Sequence, residues 1–143
     1  MAQDRTNLGI HFAHAASSAS DEHLPGYYLH VAPGASSIAA GSWRPSSPGL
    51  KRIRDAIAAK DNRWGKLPKV ARPSDGESSR RIPPGYDSSH RFADDLRRKD
   101  FYATVPFSDA AVTSSTFDSR FLAACRKLAP LNEFLADALS VPW

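Results

Sequence analysis

In Gly26–Val31, Tyr27, Leu29 and Val31 alternate with Tyr28, His30 and Ala32, and Pro33-Gly34 follows at once. Successive side chains of a strand point to opposite faces, so this spacing predicts a strand with one buried and one open face. Pro pre-sets φ near −65° and Gly accepts φ > 0, a pairing that suits the centre of a type II turn. The chain should therefore return antiparallel from about Ser36 to Trp43, where Ala39, Ala40 and Gly41 leave room for close packing against the sheet. Few folds other than an antiparallel sheet can accommodate this block.

The flanking sequence extends the sheet. Leu8, Ile10 and Phe12 alternate with Gly9, His11 and Ala13, which predicts a preceding strand and a three-strand meander. Ala15 to Glu22 is small and polar and reads as a surface loop. Ser47-Pro48 supplies an N-cap and a first-turn proline, after which Leu50, Ile53 and Ile57 repeat at helical spacing. From Trp64 to about Ser79 the chain is rich in Lys, Pro, Ser and Gly. Arg80 to Tyr86 is too dense in proline for a helix or a central strand, so an extended surface segment is expected.

Ser89 is expected to cap a short helix carrying Phe92 and Leu96 on one face, with Asp94 and Asp95 at its start and Arg97, Arg98 and Lys99 at its end. Phe101, Ala103, Val105 and Phe107 then alternate as a later strand, and Pro106 marks either a sheet edge or a strand end. Phe117, Phe121, Leu128, Leu135 and Leu139 draw the stripe of a long C-terminal helix, kinked or broken near Leu128 by Pro130. These elements predict an α+β domain with a mostly antiparallel sheet, packed with an amphipathic helix, a short helix and the long C-terminal helix.

A length of 143 residues accommodates one such domain over 1–143. The lone Cys125 excludes an intrachain disulfide and, among Phe121, Leu122 and Leu128, reads as a buried inert thiol in a reducing compartment. No secretory leader or apolar run of about 18 residues is present, so a soluble, cytoplasmic protein without a membrane partner is expected. The net charge of +4 is unevenly placed: nine Lys or Arg residues lie between Arg44 and Arg72 against Asp55 and Asp61 alone. Such a run either attracts phosphate, nucleic acid or an acidic partner, or forms a solvated basic face.

Motifs for chemistry are sparse. His11 and His30 are candidate cross-strand neighbours, but two histidines do not make a catalytic zinc site, and neither HExxH nor CxxC occurs. There is no nucleophile elbow and no Gly-rich phosphate loop, and Asp94-Asp95 has a sufficient explanation at a helix start. The sequence thus assigns no reaction, no metal and no cofactor. Anion binding is better motivated. Arg44 follows Trp43 at a strand end, Arg81 precedes a turn, and Lys99 precedes a strand, all places where side chains converge beside a sheet. With Tyr28 and His30 these residues form the candidate ligand-binding set for a small phosphate- or carboxylate-bearing ligand. The plainer reading puts Trp43 in the core and pairs Arg44 with an acid. Non-specific nucleic-acid binding through residues 44–72, with Trp43 and Trp64 as stacking platforms, is the alternative.

The Leu8–Phe12 strand, the Gly26–Pro45 block, the Leu50–Ile57 helix, Pro83–Tyr86, Leu96–Phe101 and Leu128-Ala129-Pro130-Leu131 resemble, in order, a bacterial and fungal family of uncharacterised proteins, domain of unknown function 2461. The resemblance implies a fold but no activity. It also implies an N-terminal helical region and a further strand before Thr6-Asn7-Leu8-Gly9. This chain is accordingly read as a truncated version, or one with a misplaced start. On that reading the Ile10 strand is an open edge, available for self-association or for a complementary N-terminal piece. Pro84 stands where the family resemblance implies a basic residue, which weakens any anion contact at that turn.

Overall fold

The structure, a computed structural model, describes residues 7–13, 24–60 and 63–143. The expected loop from Ala15 to Glu22, together with His14, His23 and Asp61, lies outside the described residues. Four strands, β1 (Leu8–Ala13), β2 (Gly26–Val31), β3 (Ser36–Ser42) and β4 (Phe101–Phe107), form one antiparallel sheet in the order β1-β2-β3-β4. The expected meander is present, and Pro106 does lie on an edge strand, opposite Ser37. Gly34 adopts φ +70°, as the turn after Pro33 demands.

Sequence alternation decides which face is covered. Leu29, Ile38, Ala40, Phe101 and Ala103 share one face with at most 8% exposure, beneath α4 (Phe117–Leu139). Helix α1 (Ser47–Ala58) packs on α4 and turns Ile53 and Ile57 into the same core. Its N-cap is Ser46, whose Oγ accepts the Gly49 N–H at 3.2 Å, so Pro48 is the second helical residue rather than the first. Two adjacent serines offer the same capping oxygen, and the sequence alone points to the wrong one.

Two further expectations are corrected and a third is narrowed. The segment after α1 is not simply extended: two short 3-10 turns, Trp64–Lys66 and Lys69–Ala71, press Trp64, Leu67 and Ala71 into the core. Helix α2 (Ala93–Leu96) begins after Phe92 with no side-chain cap, while Ser89 bonds instead to Asp87. Finally, of the kink or break expected near Leu128, the break is absent, and α4 runs on through Pro130. Leu128, Leu131 and Leu135 around it are fully buried, and that packing outweighs the roughly 3 kcal/mol that an interior proline costs. A short helix, α3 (Asp109–Val112), precedes α4 and is capped by Ser108.

Strand β1 is the opposite edge of the sheet, and all six of its residues are exposed. Leu8, Ile10 and Phe12 pair with Val31, Leu29 and Tyr27 and so share the core-side face, yet they remain 56%, 38% and 41% exposed. Phe12 reaches α4, with its ring 5.6 Å from that of Phe121.

Candidate functional site

The face of the sheet turned away from the helices is built from Gly9 and His11 of β1, Tyr28 and His30 of β2, Ser37, Ala39 and Gly41 of β3, and Tyr102 and Thr104 of β4. At one end of it β3 comes unusually close to its neighbour. Gly41 has φ +139°, and a Cβ there would fall 1.9 Å from the Phe101 carbonyl oxygen, so only glycine fits. Trp43, two residues on, points to this open side. Its ring stacks on Tyr102 at 5.0 Å and meets Tyr28 edge-on at 6.4 Å. Trp43 is therefore not a core residue, as the plainer sequence reading had it. Alternation from Ser42, which is fully buried on the other face, places it opposite.

Arg44 turns sharply out of this row with φ +45°, a left-handed conformation that costs a non-glycine residue roughly 1–2 kcal/mol. Its backbone is held there by Asp100. That carboxylate is 6% exposed and accepts the Arg44 N–H at 2.8 Å through Oδ1 and the Glu77 N–H at 2.9 Å through Oδ2. Gly76, at φ +100°, lets the 76–77 turn approach Asp100 closely, since a Cβ would lie 2.7 Å from the aspartate Cβ. The Lys99 N–H donates to the Glu77 carbonyl at 2.8 Å, which closes the corner. The Arg44 guanidinium lies 3.8 Å from the Glu77 carboxylate, with both side chains more than 60% exposed, so this ion pair is loose and holds little energy. Burial, with Asp75 and Asp100 adding to it, pushes the Tyr102 hydroxyl above its ordinary pKa and keeps it protonated.

The expected ligand set is thus only partly gathered. Tyr28 meets Trp43, the chain neighbour of Arg44, and Glu77 joins the Arg44 side chain to the backbone of Lys99, not to its ammonium. His30 shares the Tyr28 face but lies one residue pair farther from the corner, opposite Gly9 and Ser37. Arg81 is exposed on the segment before Pro83, and no described contact joins it to the other four. His11 is opposite Tyr28, not opposite His30, so the two histidines are diagonal across β1 and β2. Asp100, Glu77 and Tyr102 escaped sequence reasoning. The alternation of β4 would have placed Tyr102 on the open face, but nothing local announces that Asp100 will bind backbone from two distant segments.

The basic run serves mostly internal purposes. Arg54, Arg72 and Arg52 donate to the backbone carbonyls of Arg98, of Leu67 and Gly65, and of Leu139, while Lys51 and Arg63 pair with Asp55 and Asp137. Trp64 is 4% exposed, rests against Phe101 and Phe134, and donates its Nε1–H to Asp95 at 2.8 Å. It offers no stacking face to a base. Cys125 is half-buried, with its thiol pushed up by burial. Among the described residues no three His, Cys, Asp or Glu side chains group to hold a metal ion, and no helix is long and apolar enough to cross a membrane.

The profile of a family described as conserved hypothetical protein (DUF2461) matches residues 4–134, most of the chain. The chain belongs to this family. No curated protein and no solved structure matches it. For this DUF2461 member the functional reading therefore rests on its own residues.

Proposed function

We propose that the protein binds a small phosphate- or carboxylate-bearing ligand at the corner formed by Arg44, Lys99 and the rings of Tyr28, Trp43 and Tyr102. The observation that carries this reading is Arg44 itself, an arginine kept in a left-handed conformation that a glycine would adopt without cost. Strained backbone of this kind persists where surrounding structure over-determines it, and it concentrates at ligand-binding positions. Here the buried Asp100 carboxylate supplies the restraint. It fixes the start of the Arg44 side chain beside the aromatic row while leaving the guanidinium exposed and loosely paired. An anion would replace the Glu77 carboxylate on Arg44 and draw in the Lys99 ammonium, and a planar guanidinium suits both phosphate and carboxylate. Arg81 is not needed in this arrangement.

Thermal unfolding with a panel of nucleotides, sugar phosphates and carboxylates tests the reading, because a ligand that binds only the folded state raises the midpoint. One anion class should raise it, and the rise should shrink in Arg44→Ala. A panel that leaves the midpoint unmoved contradicts the proposal.

A second reading is favoured by the exposed edge at β1, which carries no charged residue and presents Leu8, Ile10 and Phe12 to solvent. Antiparallel pairing with a second copy, centred on Ile10, sets Leu8 of one copy opposite Phe12 of the other and opposes no like charges. Sedimentation should then depend on concentration in the parent and not in Ile10→Lys. Identical monomeric sedimentation of the two would exclude it.

A further inference from the structure

Helix α1 and the Pro83–Tyr86 segment enclose a cleft of about 230 Å³ that shares no residue with the Arg44 corner. Leu50, Pro83 and Pro84 form its apolar wall, and Lys51, Arg54 and Tyr86 supply its polar groups. Their arrangement leaves one group unsatisfied. The Tyr86 hydroxyl donates to Asp55 Oδ1 at 2.6 Å, and the Lys51 ammonium lies 3.1 Å from Asp55 Oδ2. Arg54 donates through Nη2 to the Arg98 carbonyl at 3.0 Å, but its Nε is buried without a partner. A buried donor left unpaired costs about 1–3 kcal/mol, and native structures keep few of them.

We propose that this cleft holds a small monocarboxylate, with its oxygens on Arg54 and Lys51 and its apolar part on Leu50, Pro83 and Pro84. The charge balance favours one negative charge: the lining carries two cations, Lys51 and Arg54, and of these, among the described residues, Lys51 alone pairs with a carboxylate, Asp55. The side-on edge of a guanidinium, Nε–H with an adjacent Nη–H, donates to both oxygens of a carboxylate. A slight turn of Arg54 toward the cleft would therefore give Nε the acceptor it lacks. The proline and leucine wall favours a short alkyl chain over a hydrated phosphate, which has no apolar part to bury. The volume limits the ligand to a few heavy atoms, below the usual size of drug-binding pockets.

The test is an NMR titration of the full ¹⁵N-labelled chain with acetate, propionate and butyrate, and separately with inorganic phosphate. The expected result is saturable movement of the residue 47–54 amides and of the Arg54 Nε–H, with affinity rising from acetate to butyrate and phosphate weakest. Lys51→Gln, an exposed change that leaves the fold intact, should weaken binding about two- to fivefold. Arg54→Gln should weaken it roughly tenfold or more. Shifts confined to the Arg44 corner would overturn the cleft while supporting the proposed function. Equal affinity across the acids and phosphate, or the absence of shifts at 47–54, would overturn it as well.

Discussion

On one face of the sheet Ile38, Ala40, Phe101 and Ala103 are at most 1% exposed under α4, whereas on the other Tyr28 is 38% exposed and Arg44 leaves the row in a conformation that folding does not favour. The covered face follows from the period of the sequence. At its centre the inward residues are apolar and buried, and the helices above them present leucines and isoleucines at helical spacing. The open face obeys another rule: its floor is small, its rings lie across three strands, and its one sharp turn is held by a buried carboxylate. Stability accounts for the first arrangement and leaves the second unexplained. That difference is the ground on which the ligand site is proposed.

Substitutions can break this contrast. Phe101→Ala removes a fully buried ring from the covered face and should cost about 3–5 kcal/mol in chemical denaturation. A loss under 1 kcal/mol would mean that the two faces are not as unequal as they look. Gly41→Ala comes next. It forces a Cβ onto the Phe101 carbonyl at an unfavourable φ and should cost about 2–3 kcal/mol, splaying β3 from β4 and disturbing the Trp43–Tyr102 stack. Near-ultraviolet circular dichroism should lose the stacked-ring signal together with the stability.

A smaller effect belongs to pH. Burial first, and then the bond to Asp55, pushes the Tyr86 hydroxyl from 10.0 up to about 12. The folded state thus favours the protonated phenol. Its stabilisation is complete below the unfolded pKa near 10 and is lost as pH rises through 12. Spectrophotometric titration of Tyr86→Phe against the parent should show one late-titrating phenol missing, and the variant's stability should fall less steeply over that range. Titration of every tyrosine near pH 10 in the folded parent would contradict the Tyr86–Asp55 contact.

How much of this was legible in the sequence depends on range. Period-two runs placed β1 to β4, and helical stripes placed α1 and α4, because those signals are local and repeated. Trp64, Leu67 and Ala71 are spaced three and four apart, a helical interval hidden among lysines and prolines, and their burial went unread. The direction of Tyr28 and His30 follows from alternation alone. Asp100 could not be read in the same way, because its partners lie 56 and 23 residues distant and are backbone N–H groups, which leave no mark on side-chain pattern. Arg81 sits in a proline-rich segment that has no period to fix where it points.

The most direct measurement is thermal unfolding of Arg44→Gly beside the parent, with and without the anions that stabilise the parent. Glycine relieves the left-handed strain and adds chain entropy to the unfolded state, two opposing effects of similar size, so stability without ligand should stay within about 1 kcal/mol of the parent. The account predicts that this near-intact protein no longer gains stability from the ligand. A variant that keeps the parent's full ligand-induced rise would show that Arg44 is not held in its strained turn for binding.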